Sequence, residues 1–233
     1  MIVCVNDVVV PGDVVGGITG LDDKSRVILG PGLRRCAEQV IVCKSGLLKK
    51  INQTFYVDSH QKRYIPVRGE AVVGIVSSKA GDFFKVDIGG SEQASLHYLA
   101  FEGATKKNRP NLNVGDTLYA TVLSASKDME PELVCIDSTG KKGKMGVIDP
   151  DGFLFICSLN LIRKILNPKC LLLKYLGKEV AYEIAIGMNG KVWVKAKNVK
   201  TTIAIASAVL AAEHAPYDEI VSNTNDILNK LLL

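Results

Sequence analysis

Two stretches set an aromatic ring among cations at strand spacing, the equipment for holding a polyanion that carries flat bases. In Gly81-Asp82-Phe83-Phe84-Lys85-Val86-Asp87-Ile88, alternation puts Phe84, Val86 and Ile88 on one face and Phe83, Lys85 and Asp87 on the other. The apolar set belongs inside, so Phe83 and Lys85 face out, a ring to stack on a base and an ammonium to meet its phosphate. His97 falls near the end of the next strand, and the loop after it supplies Lys106, Lys107 and Arg109. A plainer reading has Phe83 packed on a neighbouring module and the loop lysines merely solvated.

In Lys191-Val192-Trp193-Val194-Lys195-Ala196-Lys197 the valines and Ala196 share a face opposite Lys191, Trp193, Lys195 and Lys197. That is again an aromatic between cations. The only Trp of the chain, beside a glycine-flanked turn, equally fits burial between modules, since Trp is enriched at such contacts. Catalytic signatures are absent: there is no G-x-x-x-x-G-K-[ST], no G-x-S-x-G and no G-x-G-x-x-G after a strand. Three scattered histidines and six cysteines without a C-x-x-C pair argue against a metal site, and no cofactor is implied. The acidic pairs, Asp22-Asp23 and Asp149 with Asp151, sit among turn formers, where Asp commonly bonds its own backbone.

The elements that must position these residues fall into three unlike modules. At 233 residues, 47% hydrophobic and 23% charged, the chain is long enough to bury real cores and is not globally disordered. Residues 1–63 alternate short apolar runs with breakers such as Pro11-Gly12-Asp13 and Gly30-Pro31-Gly32, which predicts an N-terminal β domain of hairpins. Residues 64–143 hold five longer strand-like runs with a long loop between the third and fourth, the pattern of a five-stranded OB barrel. Ser138 to Lys144 reads as a linker.

Residues 144–233 read strand, helix, helix, strand, strand, helix, the order of a type I KH domain, with an extra C-terminal helix. Ser158 is placed to cap the first helix, Asn167-Pro168 to end it, and Gly177 to close the second. Gly187-Met188-Asn189-Gly190 is the hairpin turn, with Gly187, Asn189 and Gly190 as a structural motif alongside Trp193. The fold class is thus multidomain β and α+β. The net charge of +5 permits a polyanionic partner, and the two end modules each carry +3. No run reaches the roughly 18 apolar residues of a spanning helix, and no basic signal segment opens the chain, so the expectation is an intracellular protein with buried free thiols, no membrane and no small-molecule substrate.

The runs Gly30-Pro31-Gly32-Leu33, Val57-Asp58-Ser59-His60-Gln61-Lys62-Arg63-Tyr64-Ile65-Pro66-Val67, Phe84 to Glu92, Phe101 to Pro110 and Gly187 to Val194 closely resemble the RNA exosome cap subunits of the ribosomal RNA-processing protein 40 (exosome component 3) family. The likeness runs over nearly the whole chain in the right order. It implies an N-terminal β domain, an S1-like RNA-binding barrel and a KH domain in a non-catalytic subunit that binds RNA and guides it for 3′-to-5′ degradation. Implied partners are RNase PH-like ring subunits and other cap subunits, with nucleus, nucleolus and cytoplasm as the location. The rivals are a free RNA chaperone outside any ring and a ribonuclease acting alone.

One departure matters. A KH domain grips backbone with a G-x-x-G loop between its first two helices. Here that place is held by Leu166-Asn167-Pro168-Lys169, while the formal G-x-x-G, Gly187 to Gly190, lies between strands. The family's own G-x-N-G signature sits at the same turn, which favours a structural role for it.

Overall fold

Apolar runs of two to six residues, cut by glycine and proline, become strands whose alternate residues are buried. The computed structural model describes residues 2–16, 27–37, 39–61, 63–126, 128–137 and 139–232. The chain divides into two units, residues 1–60 and 61–233.

The first unit is all β: β1 Ile2–Val3, β2 Val8–Val9, β3 Val14–Val15, β4 Ile28–Leu29, β5 Leu33–Cys36, β6 Gln39–Val42, β7 Gly46–Ile51 and β8 Thr54–Asp58. They form two sheets, ordered β1-β3-β6-β5 and β2-β7-β8-β4. Val3, Val9, Val15, Val40, Val42, Leu48 and Val57 close its core. Each fully buried side chain of that kind contributes about 1.5–3 kcal/mol against exposure. Cys4, Cys36 and Cys43 are exposed, which corrects the expectation of buried thiols for this half of the set; Cys135, Cys157 and Cys170 are buried, and all six are free. Cys4 and Cys43 each follow a buried valine, Val3 and Val42, so alternation turns them outward, and Cys36 ends the edge strand β5. The Asp22-Asp23 pair lies outside the described residues.

In the second unit, β9 Ala71–Ala80, β10 Phe83–Asp87, β11 Ala94–His97, β12 Thr117–Ser124 and β13 Glu132–Val134 run in the order β13-β11-β10-β9-β12, and β13 also pairs with β12. The ring is therefore closed, which removes free edges. A bulge shifts the register between Lys85 and Val86, where the Ser77 hydroxyl donates to the Lys85 carbonyl at 3.0 Å. On either side of it Phe84, Val86 and Ile88 stay inside. A further strand, β14 Gly146–Val147, pairs with β12 beyond residue 143, where the sequence reading ends the barrel. The stretch before it is an ordered turn: the Asp137 carboxylate accepts from Thr139 N–H at 2.8 Å, its hydroxyl at 2.6 Å and Lys141 N–H at 3.0 Å.

Next come β15 Phe153–Ile156, α1 Leu159–Leu166, α2 Leu172–Glu179, β16 Tyr182–Ile186, β17 Lys191–Ala196, α3 Val199–Ala211 and α4 Ile220–Leu232. The antiparallel sheet is ordered β15-β17-β16. One face of it, through Val192 and Val194, packs on Leu161, Ile162, Ile165, Leu172, Leu176, Ile205 and Val209 of the helices. Ser158 caps α1, its hydroxyl accepting from Leu161 N–H at 3.1 Å. Helix α2 corrects the span Lys169 to Leu176, closed by Gly177, that the sequence predicts. It starts later, because an Asx turn occupies residues 167–169, and it runs through Gly177 to Glu179 before Val180 N–H closes on the Leu176 carbonyl.

Candidate nucleic-acid interface

The outward positions of β10 and β11 meet because these strands pair Phe83 with His97. Phe83 is 46% exposed, so a large apolar ring stands in water without a cover. Its edge meets His97 with centroids 4.8 Å apart at 77°, and His97 stacks on Tyr98 at 4.6 Å and 28°. The Arg109 guanidinium lies 4.6 Å over the Tyr98 ring and 3.1 Å from Asp82. His97 Nδ1 accepts from Leu99 N–H at 3.1 Å, so a neutral imidazole carries its proton on Nε2 and offers a donor there. Tyr98 is itself buried in the barrel core, so the accessible rings are Phe83 and His97, with Tyr98 as the base on which His97 and Arg109 are seated.

Lys85 is less free than alternation alone suggests, since it is ion-paired with Glu130 of the β12–β13 loop. Beside the pair opens a pocket of about 410 Å³ lined by Ala80, Phe83, Lys85, Ser95, Met129, Glu130 and Glu132. Lys106 and Lys107 are exposed on a loop held by its own bonds, Thr105 N–H to the Asn108 carbonyl at 3.0 Å and Asn108 N–H to Thr105 Oγ1 at 3.0 Å. The structure thus brings Phe83, His97 and Arg109 together, sets Lys85 at the pocket rim, and leaves Lys106 and Lys107 projecting. Tyr98, Asp82 and Glu130 were missed by the sequence reading. For Tyr98 its place beside His97 is a usable signal, whereas Glu130 has none, lying 45 residues from Lys85.

The turn Gly187 to Gly190 sits elsewhere, on β9. Met188 N–H donates to the Ala71 carbonyl at 2.8 Å, and the Asn189 side-chain amide donates to the carbonyls of Val73 and Ile88, both at 2.8 Å. A Cβ on Gly187 would lie 2.6 Å from Val73 N, so only glycine permits the approach. Next to it Lys191, with its side chain 7% exposed, donates to Asp87 Oδ2 and to the Asp87 carbonyl, each at 2.9 Å. Burial pushes the Asp87 carboxyl up, but the Lys191 hydrogen bond, the Gly89 N–H and the Lys191 charge together hold it below the usual value.

Trp193 is 5% exposed, its indole pressed on Gly152, where a Cβ would come within 2.1 Å of the ring. It is buried and cannot stack a base. Lys195 pairs with Asp149 and lies 3.8 Å from Asp151, and Asp151 N–H donates to Asp149 at 3.0 Å. Those two carboxylates are engaged in a turn and an ion pair, the Lys195 hydrogen bond holding Asp149 below its usual range. Among the described residues no group of three or more His, Cys, Asp or Glu side chains is arranged to hold a metal ion, and no helix is long and apolar enough to cross a membrane.

Comparison with known proteins covers the same three segments. The model of the mammalian exosome complex component RRP40 N-terminal domain matches residues 7–60, that of the RRP40 S1 domain residues 64–146, and a KH domain model residues 152–200. The exosome complex component RRP40 of Drosophila melanogaster is 52% identical over 225 residues, 95% of this chain and 97% of that protein. The chain belongs to the RRP40 family. The Homo sapiens and Saccharomyces cerevisiae members are 52% and 38% identical, covering 83% and 82% of this chain and 73% and 83% of theirs. The fold is shared by a crystal structure of an RNA-binding protein assigned to the exosome complex, with TM-score 0.60 at 21% identity over 72% of this chain and 99% of the other.

In this RRP40-family chain the KH helix–helix loop is closed on itself. Lys169 N–H donates to Asn167 Oδ1 at 3.0 Å and Cys170 N–H to the Asn167 carbonyl at 2.9 Å. The backbone donors that a G-x-x-G loop would turn to phosphate are thereby spent inside the turn.

Proposed function

We propose that this chain is a non-catalytic RNA-binding cap subunit of the exosome, taking single-stranded RNA on the outer face of its S1 barrel and guiding it toward a nuclease in another subunit. One observation carries the reading: Phe83 stands exposed against His97, and the buried Tyr98 beneath them seats both His97 and the Arg109 guanidinium. Stacked rings beside a cation suit a single strand of any sequence, because every base has a π-face. The family names support exosome membership, and the S1 barrel, an OB-type fold, suits a single-stranded nucleic acid. RNase PH-like ring subunits and the other cap subunits are the proposed protein partners, and nucleus, nucleolus and cytoplasm the proposed locations. The non-catalytic role is favoured by the engagement of Asp149 and Asp151 with Lys195.

The test is binding of a labelled single-stranded RNA to the purified full chain. Phe83→Ala should weaken it by the roughly 1–3 kcal/mol of a lost base stack, at every salt concentration. Parental affinity in that variant would remove the barrel face from the reading. Incubated with Mg²⁺ or Mn²⁺, the same RNA should stay intact; degradation abolished by Asp149→Ala with Asp151→Ala would refute the non-catalytic role.

A further inference from the structure

β11 and β13 lie side by side and parallel, pairing Ser95 with Glu132 and Leu96 with Leu133, so the segments that leave them emerge at one end of the barrel. Cys135 N–H donates to the Ala100 carbonyl at 2.9 Å, and Lys142 N–H donates to Glu102 Oε2 at 2.9 Å. The turn at 139–144 is thereby fastened to the start of the loop that carries Lys106, Lys107 and Arg109. It contributes Lys141, Lys142 and Lys144, all exposed.

The carboxylates of this region are already engaged. Glu102 accepts from the Lys142 backbone, Asp137 from Thr139 and Lys141, and Asp82 holds Arg109. Among the described residues, Lys106, Lys107, Lys141, Lys142 and Lys144 are in no ion pair. Hydrogen bonds leave Glu102 and Asp137 their charge, so five ammonium groups stand against two carboxylates on the joined loops, and the remaining positive excess attracts a polyanion. Arg109 links this cluster to the ring row on β10 and β11, so a strand stacked on Phe83 and His97 finds further cations along its backbone.

We propose that the turn bearing Lys141, Lys142 and Lys144 is a second RNA-binding element, which holds the phosphates of the nucleotides beyond those stacked on the barrel face. The proposal rests on the barrel-face reading and adds a site to it. It takes phosphodiester backbone without regard to base, because lysine ammonium groups read charge and carry no planar recognition edge.

The test uses the full chain with fluorescein-labelled oligouridylates of about 4 and about 16 nucleotides, near the limits of one such barrel's site size. Replacing Lys141, Lys142 and Lys144 together by Ser should leave the short strand bound as in the parent and weaken the long one. The slope of log K against log salt should fall by up to about 2 for the long strand, at about 0.7 per phosphate contact. Replacing the three by Arg should restore the parental slope. If Phe83→Ala weakens binding while the triple Ser variant binds both strands as the parent does, the second element is refuted and the face stands. Should neither variant change anything, both readings fall. A triple Ser variant with parental RNA binding but lost co-assembly with other exosome subunits would give the turn to an acidic protein partner and overturn the proposal. All three lysines are exposed, so parental melting temperature is expected and verifies that the variant is folded.

Discussion

Asn189 pairs with Val73 as one strand pairs with another: its amide nitrogen donates to the Val73 carbonyl at 2.8 Å, and its Oδ1 accepts from Val73 N–H at 3.3 Å. β10 pairs with β9 only from Ile75 to Ala80, so residues 71–73 would present an open edge on that side. The turn supplies the missing neighbour, with Met188 on Ala71 and Asn189 on Val73. Asn189→Ala should therefore leave Val73 N–H and the carbonyls of Val73 and Ile88 unpaired, at about 1–3 kcal/mol for each that water fails to reach. Thermal unfolding measures the loss, and RNA affinity of the folded variant should match the parent.

Asp87 and Lys191 make the same seam depend on pH. The folded-state pKa of Asp87 is depressed, so its contribution is present above the unfolded carboxylate value and is lost as pH falls through the folded one. The stability gap between the parent and Asp87→Asn should be full at neutral pH. It should shrink below about pH 4, where the unfolded chain begins to hold the proton. A gap of constant size in denaturant midpoints from pH 7 to pH 2 would show that the carboxylate charge plays no part.

How far the sequence shows these features depends on their range along the chain. Alternation through Phe84, Val86 and Ile88 was legible because one buried face forces a period of two, and the Ser158 cap because it acts three residues away. Asn189 on Val73 spans 116 residues and Lys191 on Asp87 spans 104, separations that no local pattern encodes. Gly177 misled for a different reason. A Cβ there would meet nothing within 4 Å, so the glycine marks neither a stop nor a close approach, and helical hydrogen bonding simply continues. At the candidate site the exposed ring was legible, but the Glu130 partner of Lys85, 45 residues away, was not. The 139–144 turn is ordered locally by Asp137, two and four residues from Thr139 and Lys141, and only its fastening to Glu102, 40 residues away, lies beyond a local pattern.

Glu130 competes with phosphate for Lys85. An exposed pair of this kind is itself worth little, about 0–1 kcal/mol, but it occupies the cation nearest the pocket. Glu130→Gln should free Lys85, tighten RNA binding at low salt and steepen the slope of log K against log salt by about 0.7, one added phosphate contact. Unchanged slope and affinity would show that Lys85 does not reach the strand.

Thiol chemistry should divide the six cysteines in two. Burial pushes Cys135 up to about 12 and Cys157 up to about 11, with Glu213 adding to the latter, and the thiolate is the reactive form. Cys4, Cys36 and Cys43 are exposed, while Cys170 is buried. Iodoacetamide at neutral pH should label the first three in the native chain and the other three only after unfolding, as read by peptide mass spectrometry. Native labelling of Cys135, which lies inside the closed barrel core, would mean that the barrel opens readily.

Gly190 separates a turn that holds the fold from one that holds RNA. Its φ is +86°, and a Cβ would lie 2.7 Å from the Cys157 carbonyl oxygen, while Cys157 N–H donates to the Gly190 carbonyl at 2.7 Å. Valine here meets both an unfavourable backbone region and a backbone atom that cannot step aside without breaking that bond. The backbone conformation alone costs on the order of 1–3 kcal/mol, and each kcal/mol lowers the melting temperature of a chain this size by roughly 2–4 °C. Gly190→Ala keeps the contact and carries less χ1 restriction, so it should fall between parent and Gly190→Val. For whatever fraction remains folded, RNA affinity should stay near the parent in both variants, since the ring row and basic loops lie on other elements. A Gly190→Val chain that melts like the parent and no longer binds RNA would assign this turn to the nucleic acid instead.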